Sequence, residues 1–245
     1  MKYSILGGQL PVVVCELDAG EEMFNTSGGM SWMSDNMTMS TSTEGGFLKG
    51  LGRMFSGESM FMASFKAERG PGMIAFSSSF PGSIVALDLP QGQSVISQKG
   101  AFLAATRGVT LSVHIQQKLG AGFFGGEGFI MQRVTGPGVA FFEIDGAAIE
   151  YDLEPRQVMK VSTGHVAMMR DTVNLDIAMV KGLKNIFFGG EGLFLATLTG
   201  PGHIWLQSMP AEKLAQVVIP YLPVQSSDNS DSGSWWDSDD DKKKK

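Results

Sequence analysis

One stretch of this sequence recurs three times and constrains the fold more than any other feature. Residues 124–138 read FGGEGFIMQRVTGPG, residues 188–202 read FGGEGLFLATLTGPG, and residues 55–72 give the looser version FSGESMFMASFKAERGPG. Each copy contains an aromatic residue, a glycine turn with one Glu, an apolar run and a Gly-Pro-Gly. Because self-similarity at a near-constant spacing marks a repeated structural unit, we predict three copies, at about residues 1–80, 81–143 and 144–223.

The composition predicts that these units consist of β-strands. Charged residues make up 18% of the 245 residues, and 32 residues are Gly. Few charges, many glycines and many β-branched or aromatic residues favour short strands joined by tight turns. We therefore expect an all-β fold with three repeats in one domain over residues 1–223, because a single unit is small to stand alone.

Local patterns predict how the elements are connected. Each Gly-Pro-Gly is expected to join two paired strands, with a longer connection in the first copy, where three extra residues precede the turn. The period-2 pattern of residues 30–39 predicts a hairpin. Residues 210–218 have Pro first and apolar residues at helical spacing, which predicts a short helix packed as a C-terminal cap. The Ser- and Asp-rich residues 224–245 predict a disordered acidic tail ending in Lys.

Charge and cysteine content narrow the class of partner and the compartment. The formal net charge of −6 makes nucleic-acid binding unexpected, since that binding rests on Lys and Arg neutralising phosphates. The one cysteine, Cys15, has no intramolecular disulfide partner and fits a reducing compartment. No run approaches the roughly 20 apolar residues of a spanning helix. We expect a soluble, cytoplasmic protein.

Three segments carry a resemblance to a known family: residues 53–61 (RMFSGESMF), residues 81–89 (PGSIVALDL), and the FGGEG of the second and third copies. In these the chain resembles the altered inheritance of mitochondria (protein 24) family. The resemblance implies a fold like the tryptophan RNA-binding attenuation protein, with three β-sandwich units fused around a pseudo-threefold axis. It implies no substrate, and transferring RNA or tryptophan binding would rest on fold analogy alone.

Glu58, Glu127 and Glu191 are the carboxylates that all three copies share. Three pseudo-symmetric Glu side chains could converge on an axis and bind a cation or share a proton. Alternatively, each Glu accepts backbone N–H bonds within its own glycine turn. The turn role is the simpler expectation, because polar turn residues usually satisfy their own backbone.

No motif predicts catalysis, and we expect a protein that is not an enzyme. The sequence has no Gly-x-Ser-x-Gly elbow, and its FGGEG segments lack the Gly-Lys-Ser/Thr ending of a phosphate loop. Cys15 lies in an apolar strand, where a thiol is usually inert. His114, His165 and His203 occupy unrelated positions and form no His-x-His pair. We therefore predict no catalytic residue, no metal site and no cofactor.

The segments that precede each shared Glu combine Phe with Lys or Arg. Threefold repetition would bring them to one end of the molecule as a rim that docks a protein partner, a membrane surface or another copy. Alternatively, the Phe side chains point inward and close the ends of the sandwiches. The rim residues are Phe47, Lys49, Arg53, Lys118, Phe123, Lys184 and Phe187. In the tail, Trp235 and Trp236 are either solvated or a short anchor for another protein.

These features together predict a non-catalytic scaffold or binding protein. It would act as a homo-oligomer, through an exposed repeat edge, and by docking a protein partner or a peripheral membrane surface through the rim. The alternative is a small-ligand or metal-binding protein that uses the pseudo-threefold centre.

Overall fold

The structure, a computed structural model, describes residues 1–26, 29–41, 62–117, 128–179 and 194–221. The described residues form strands followed by one short α-helix, which confirms the predicted all-β class. The first strands are β1 (Lys2–Leu6), β2 (Val12–Leu17), β3 (Glu22–Thr26), β4 (Met30–Met33), β5 (Met37–Thr41), β6 (Met62–Ala67) and β7 (Gly72–Ser77). Next come β8 (Gly82–Leu89), β9 (Ser94–Gln98), β10 (Phe102–Thr106), β11 (Thr110–Gln117), β12 (Phe129–Thr135) and β13 (Gly138–Asp145). The last are β14 (Ala148–Leu153), β15 (Val158–Ser162), β16 (Val166–Arg170), β17 (Asn174–Met179), β18 (Phe194–Thr199), β19 (Gly202–Gln207) and the helix α1 (Ala211–Val218).

The strands form four antiparallel sheets whose order recurs. Sheet I has the order β1-β2-β7-β4, sheet II β5-β6-β3-β10-β13-β8, sheet III β11-β12-β9-β16-β19-β14 and sheet IV β15-β18-β17. Adding six to every strand number of sheet II gives sheet III. We therefore divide the strands into a first group (β2–β7), a second group (β8–β13) and a third group (β14–β19). The rotation of one third of a turn between repeats stays a prediction.

A shared irregularity aligns the three groups residue by residue. The pairing of β4 with β7 shifts register between Met30 and Trp32, that of β10 with β13 between Phe102 and Ala104, and that of β16 with β19 between Val166 and Met168. Because a bulge of this kind places one extra residue on the strand, it fixes the alignment. Trp32, Ala104 and Met168 are therefore equivalent positions.

The central strands of sheet II, β6, β3, β10 and β13, are buried on both faces. Successive residues of a strand point to opposite sides of a sheet, and here both sides meet a hydrophobic core. Met23 and Phe141 lie in a core between sheets I and II, whereas their neighbours Phe24 and Phe142 lie in a core between sheets II and III. This burial explains why these strands are continuous apolar runs rather than alternating ones.

Sheet III repeats the arrangement one layer further on. Val95 and Met168 lie in the core between sheets II and III, and Ile96 and Met169 lie in the core between sheets III and IV. We name the three cores I/II, II/III and III/IV after the sheets that enclose them. The molecule thus has four layers of sheet separated by three cores.

The prediction that each Gly-Pro-Gly turn joins two paired strands in a hairpin is wrong. The strands on either side of each turn lie in different sheets, as do β4 and β5, so each connection crosses between sheets. A turn motif specifies a change of direction but not which sheet receives the next strand. The glycine requirement itself holds: Gly138 and Gly202 have φ of 140° and 145°, and a Cβ at either would overlap a Thr hydroxyl. The first connection, from Ala67 to Gly72, is longer than the others, as predicted.

The helix α1 forms where the sequence predicts it, but it does not pack as a cap. Its first turn is held by Asp145, whose carboxylate accepts a hydrogen bond from the Ala211 N–H at 2.9 Å. None of its residues is buried, and Leu214, Val217 and Val218 are exposed. The described part of the chain contains no helix long and apolar enough to cross a membrane.

Candidate functional site: two open sheet edges

Two strand pairings join the groups to one another. Strand β10 pairs with β3 to join the halves of sheet II, and β16 pairs with β9 to join the halves of sheet III. We call these the internal junctions. Opposite residues are Ala104 and Asn25, Ala105 and Phe24, and Thr106 and Met23 in the first junction, and Met168 and Ser97, Met169 and Ile96, and Arg170 and Val95 in the second.

Both internal junctions are buried, and each carries an incoming strand into the core of the preceding group. The first four residues of β10 and of β16 are buried. Core I/II receives Leu103, Ala104 and Phe141 from the second group, and core II/III receives Ala167, Met168 and Trp205 from the third group. These two sets occupy the same positions in their groups, so the junctions are built in the same way.

Each internal junction is also closed by an ion pair. In both junctions, one partner of the ion pair is the residue three positions after the equivalent residues Ala104 and Met168. Arg107 Nη1 lies 3.2 Å from Glu22 Oε2 in the first junction, and Arg133 Nη1 lies 3.1 Å from Asp171 Oδ2 in the second. These pairs are partly exposed, so each contributes little energy. Both link a residue to the preceding group, but Glu22 lies on the junction strand β3 whereas Arg133 lies on β12, beside the junction strand β9.

Strand β4, at the edge of sheet I, has the same position in its group as β10 and β16. Strand β15, at the edge of sheet IV, has the same position as β3 and β9. Among the described residues, neither β4 nor β15 has a junction partner. Trp32 on β4 is 47% exposed, whereas its equivalents Ala104 and Met168 are fully buried. On β15, Val158 is 54% exposed and Lys160 is exposed, although β9 is buried at both matching positions and β3 is buried at the one that matches Lys160. We call β4 and β15 the open edges.

The open edge β4 differs in chemistry from a protected sheet edge. Natural edge strands usually avoid pairing by carrying charged residues, and β14 does so with Glu150 and Asp152. Strand β4 has the sequence MSWM, without a charge, and β15 has a single cation, Lys160. An uncharged edge with an exposed Trp is therefore a candidate interaction surface.

Comparison with known proteins places this architecture in a family. The model of the family described as mitochondrial biogenesis AIM24 matches residues 3–209. The chain belongs to the AIM24 family. It is 31% identical over 226 residues to an uncharacterized protein of Streptococcus pyogenes serotype M6, a match that covers 89% of each chain. It is also similar to the crystal structure of a Streptococcus pyogenes protein, with a TM-score of 0.74 and 28% identity over 90% of this chain and 99% of that one.

The site residues predicted from the repeats of this AIM24-family chain lie outside the described residues. This holds for the shared carboxylates Glu58, Glu127 and Glu191, and for both tail residues, Trp235 and Trp236. It holds equally for the rim residues Phe47, Lys49, Arg53, Lys118, Phe123, Lys184 and Phe187. Their roles stay predictions. The segments that carry the shared Glu and the rim connect equivalent strand pairs: β5 to β6, β11 to β12 and β17 to β18.

The three histidines lie in unrelated surroundings. His203 is held between two carboxylates, with Nδ1 2.6 Å from Asp152 Oδ1 and Nε2 2.9 Å from Glu150 Oε2. These contacts use opposite sides of the ring, so the donor atoms do not converge on one point. His165 Nδ1 contacts the Gln207 carbonyl oxygen at 2.7 Å. Partial burial and the nearby Arg133 lower the pKa of His114. The described residues contain no group of three His, Cys, Asp or Glu arranged to hold a metal ion.

Cys15 is enclosed in core I/II of the AIM24 fold. Its side chain is fully buried, and burial raises the pKa of the thiol to about 12. Because the thiolate is the nucleophile, a thiol with so high a pKa is unreactive at neutral pH. This agrees with the inert role predicted from its apolar strand.

Two open depressions are found in the described part of the molecule. One, of about 270 Å³, lies between Leu17 and Arg107, and the other, of about 410 Å³, lies between Glu16 and Met73. Their walls carry exposed charged side chains from the first group and the first internal junction. Binding sites for small molecules are usually enclosed and lined by apolar residues. The open edges are therefore the stronger candidate for function.

Sequence reasoning anticipated an exposed repeat edge but not which strands form it. A signal was available in the aligned strands. The internal strands read FLAAT and VAMMR, whereas the open strand reads MSWM. In β15 the buried Val161 alternates with the exposed Val158 and Lys160, a pattern of a strand buried on one face.

Proposed function

We propose that this AIM24-family protein is a non-catalytic scaffold that acts in the cytoplasm by self-association and by docking a protein partner or a membrane surface. The observation that carries the proposal is the pair of open edges, β4 and β15, whose equivalents elsewhere in the chain are buried against a neighbouring strand. An unpaired row of backbone N–H and C=O groups is a template for pairing with another chain. A scaffold of this kind uses the edges for assembly.

The polar chemistry of the described residues supports binding rather than catalysis. Acyl transfer requires a nucleophile next to a base, but Cys15 is buried with a raised pKa. His203 has both ring nitrogens engaged by carboxylates, so it has no free nitrogen to accept a proton from a substrate. The lone cysteine also fits the reducing cytoplasm.

The mass of the protein in solution tests self-association. We expect sedimentation velocity of the full chain to give a species whose mass is a multiple of the 26.2 kDa chain, with more of it at higher concentration. A single 26.2 kDa species at all concentrations would contradict the proposal. Native mass spectrometry of the same sample separates this function from ligand binding, because a retained metal or small molecule would add a fixed mass to every chain.

The docking part of the proposal has its own test. The predicted rim combines aromatic and cationic residues, a combination that binds anionic membrane surfaces. We expect liposomes containing anionic lipid to pull down the full chain, and Phe47→Ser with Phe187→Ser to reduce the bound fraction. The matched control is Phe80→Ser, which changes a Phe outside the three rim segments. No binding by the unmodified chain would refute membrane docking and leave a protein partner as the occupant of the rim.

A further inference from the structure

We propose that β4 of one copy pairs antiparallel with β15 of a second copy, so that sheet I of one molecule and sheet IV of the other form one seven-stranded sheet. This inference rests on the proposed self-association and specifies its geometry. The pairing would be a third junction of the same kind as the two internal ones. A second copy of this chain is therefore the binding partner for both open edges.

The two unpaired strands are of the two types that form a junction. Each internal junction joins the third strand of one group, β10 or β16, to the second strand of the preceding group, β3 or β9. The remaining strands of these two types are β4 and β15. They belong to different sheets, I and IV, and lack a junction partner in the described part of the chain. The molecule thus carries both halves of one junction, one on each of these sheets.

The described part of core III/IV lacks the residues that a following group supplies to the other two cores. Cores I/II and II/III each contain residues from the following group, Ala104 in the one and Met168 in the other. The described members of core III/IV come from the second and third groups alone. The residue equivalent to Ala104 and Met168 is Trp32, which is nearly half exposed. In the proposed sheet, Trp32 of one copy packs into core III/IV of the other.

The internal junctions also fix the register of the proposed pairing. Gly136 donates to the Gln93 carbonyl and Gly200 donates to the Gln157 carbonyl, which aligns β15 with β9. Val161 is therefore equivalent to Ser97, the residue opposite Met168. In the proposed junction the opposite residues are Trp32 and Val161, Met33 and Lys160, and Ser34 and Met159.

Charge is complementary in this register. Asp35 has the same position as Arg107 and Asp171, the two residues that form ion pairs across the internal junctions. In the proposed junction it lies diagonal to Lys160 of the other copy, a separation of about 7–8 Å between backbones that a long side chain can span. The aliphatic part of Lys160 covers Met33 while its ammonium group reaches the carboxylate.

The assembly is head-to-tail, because the two surfaces in contact are different. Every added copy leaves one β4 and one β15 free, so the contact produces a closed ring or an open filament rather than a simple dimer. An isologous dimer, in which β4 pairs with β4, would use only one of the two edges. This difference makes the geometry testable.

The test uses two variants, each with one edge blocked. Trp32→Glu blocks β4, and the double variant Val158→Glu with Lys160→Glu blocks β15 by placing carboxylates near Asp35. The control is Tyr151→Glu, which introduces the same charge on the exposed edge strand β14. Circular dichroism and thermal melting establish that each variant is folded. We expect each blocked variant alone to be a monomer, and the control to assemble like the unmodified chain.

Mixing the two blocked variants is the decisive step. Each retains the edge that the other lacks, so an equimolar mixture should form a dimer and nothing larger. If the unmodified chain assembles but both folded variants assemble equally well, the edge pairing is wrong while self-association stands. If the variants are monomers and their mixture stays monomeric, head-to-tail pairing is likewise wrong. If the unmodified chain never assembles, the proposed function itself fails.

Discussion

Strands β10 and β16 and the open strand β4 have the same place in their groups and the same bulge, yet their surroundings differ. In β10 and β16 the bulge is followed by a buried Ala or Met, whereas β4 has a half-exposed Trp there. The same contrast separates β15 from β3 and β9. Local backbone geometry is thus common to all three groups, and only the presence of a neighbouring strand decides which side chains are buried. Sheets I and IV therefore each end in a strand that has the features of one side of a junction.

The largest expected effect concerns whether sheet I is as firmly folded as the sheets inside the molecule. Cys15 lies in this sheet and is fully buried. Because a buried thiol reacts only when the fold opens, and folded domains open rarely, we expect a thiol reagent to label it on the order of 10³-fold or more slowly than in the unfolded chain. The measurement is labelling by 5,5′-dithiobis-nitrobenzoate with and without urea.

Rapid labelling of Cys15 in the folded protein would show that the open edge reflects local unfolding of sheet I. The control is Cys15→Ser, which should give no signal in either condition. Labelling at the same slow rate in a monomeric blocked variant would show that sheet I is stable without its partner.

Truncation of equivalent residues should have unequal effects on stability. Met168→Ala removes a fully buried side chain from core II/III, and we expect a loss of about 2–5 kcal/mol of unfolding free energy. Trp32→Ala at the equivalent position should change the unfolding free energy of the monomer by only about 0.5 kcal/mol, because a surface side chain has few contacts to lose. Urea denaturation in dilute solution measures both, and equal losses would contradict the distinction between junction and edge.

A smaller effect is expected from the ion pairs. Asp171→Asn removes the contact with Arg133 across the second internal junction and should lower stability by about 0.2–1 kcal/mol, as for other exposed pairs. Asp35→Asn, its equivalent at the open edge, should leave the monomer unchanged and weaken assembly. Denaturation and sedimentation of the two variants provide the comparison, and a stability loss from Asp35→Asn in the monomer would argue against equivalence.

The smallest effect is a pH dependence outside both junctions. Burial raises the pKa of Asp145, and Glu143 and Glu212 add to the shift, although the hydrogen bond from Ala211 opposes it. A raised pKa means that the folded state holds the proton more tightly. Stability therefore falls as pH rises from about 3.9, the ordinary value, through the folded pKa.

Replacing the carboxylate tests this sign. Asp145→Asn keeps an oxygen acceptor for the Ala211 N–H and removes the charge, so its melting temperature at pH 7 should exceed that of the unmodified chain. The difference should vanish near pH 3, where Asp145 is protonated in both states. A lower melting temperature that does not depend on pH would contradict the assignment. Assembly should be unaffected, because Asp145 lies away from β4 and β15.

Much of the fold follows from the sequence, and the missing part has a physical reason. The repeated motifs predict the strands, the all-β class and the helix α1, because turn residues and apolar runs are local signals. They do not predict that Gly138 connects sheets III and II, since that choice depends on packing between distant strands. The prediction that α1 packs as a cap is wrong, because Leu214 and Val217 have helical spacing whether or not a core lies beneath them.

The candidate site was only partly predictable. An exposed edge follows from any array of repeats with two ends, but its location depends on comparing equivalent residues. Trp32 stands out only after the bulges align it with Met168, and Lys160 only after the hydrogen bonds of Gly136 and Gly200 align it with Ile96. The Gly-Pro-Gly motifs of the sequence alone do not identify either residue as part of an open edge, because both lie outside those motifs.

Hydrogen–deuterium exchange as a function of protein concentration tests the central claim most directly. We expect slow exchange in β10 and β16 at every concentration, because the internal junctions never open without unfolding. Exchange in β4 and β15 should be fast in dilute solution and should slow together as the protein assembles, with other strands unchanged. Assembly that slows exchange elsewhere and leaves β4 and β15 fast would contradict the account.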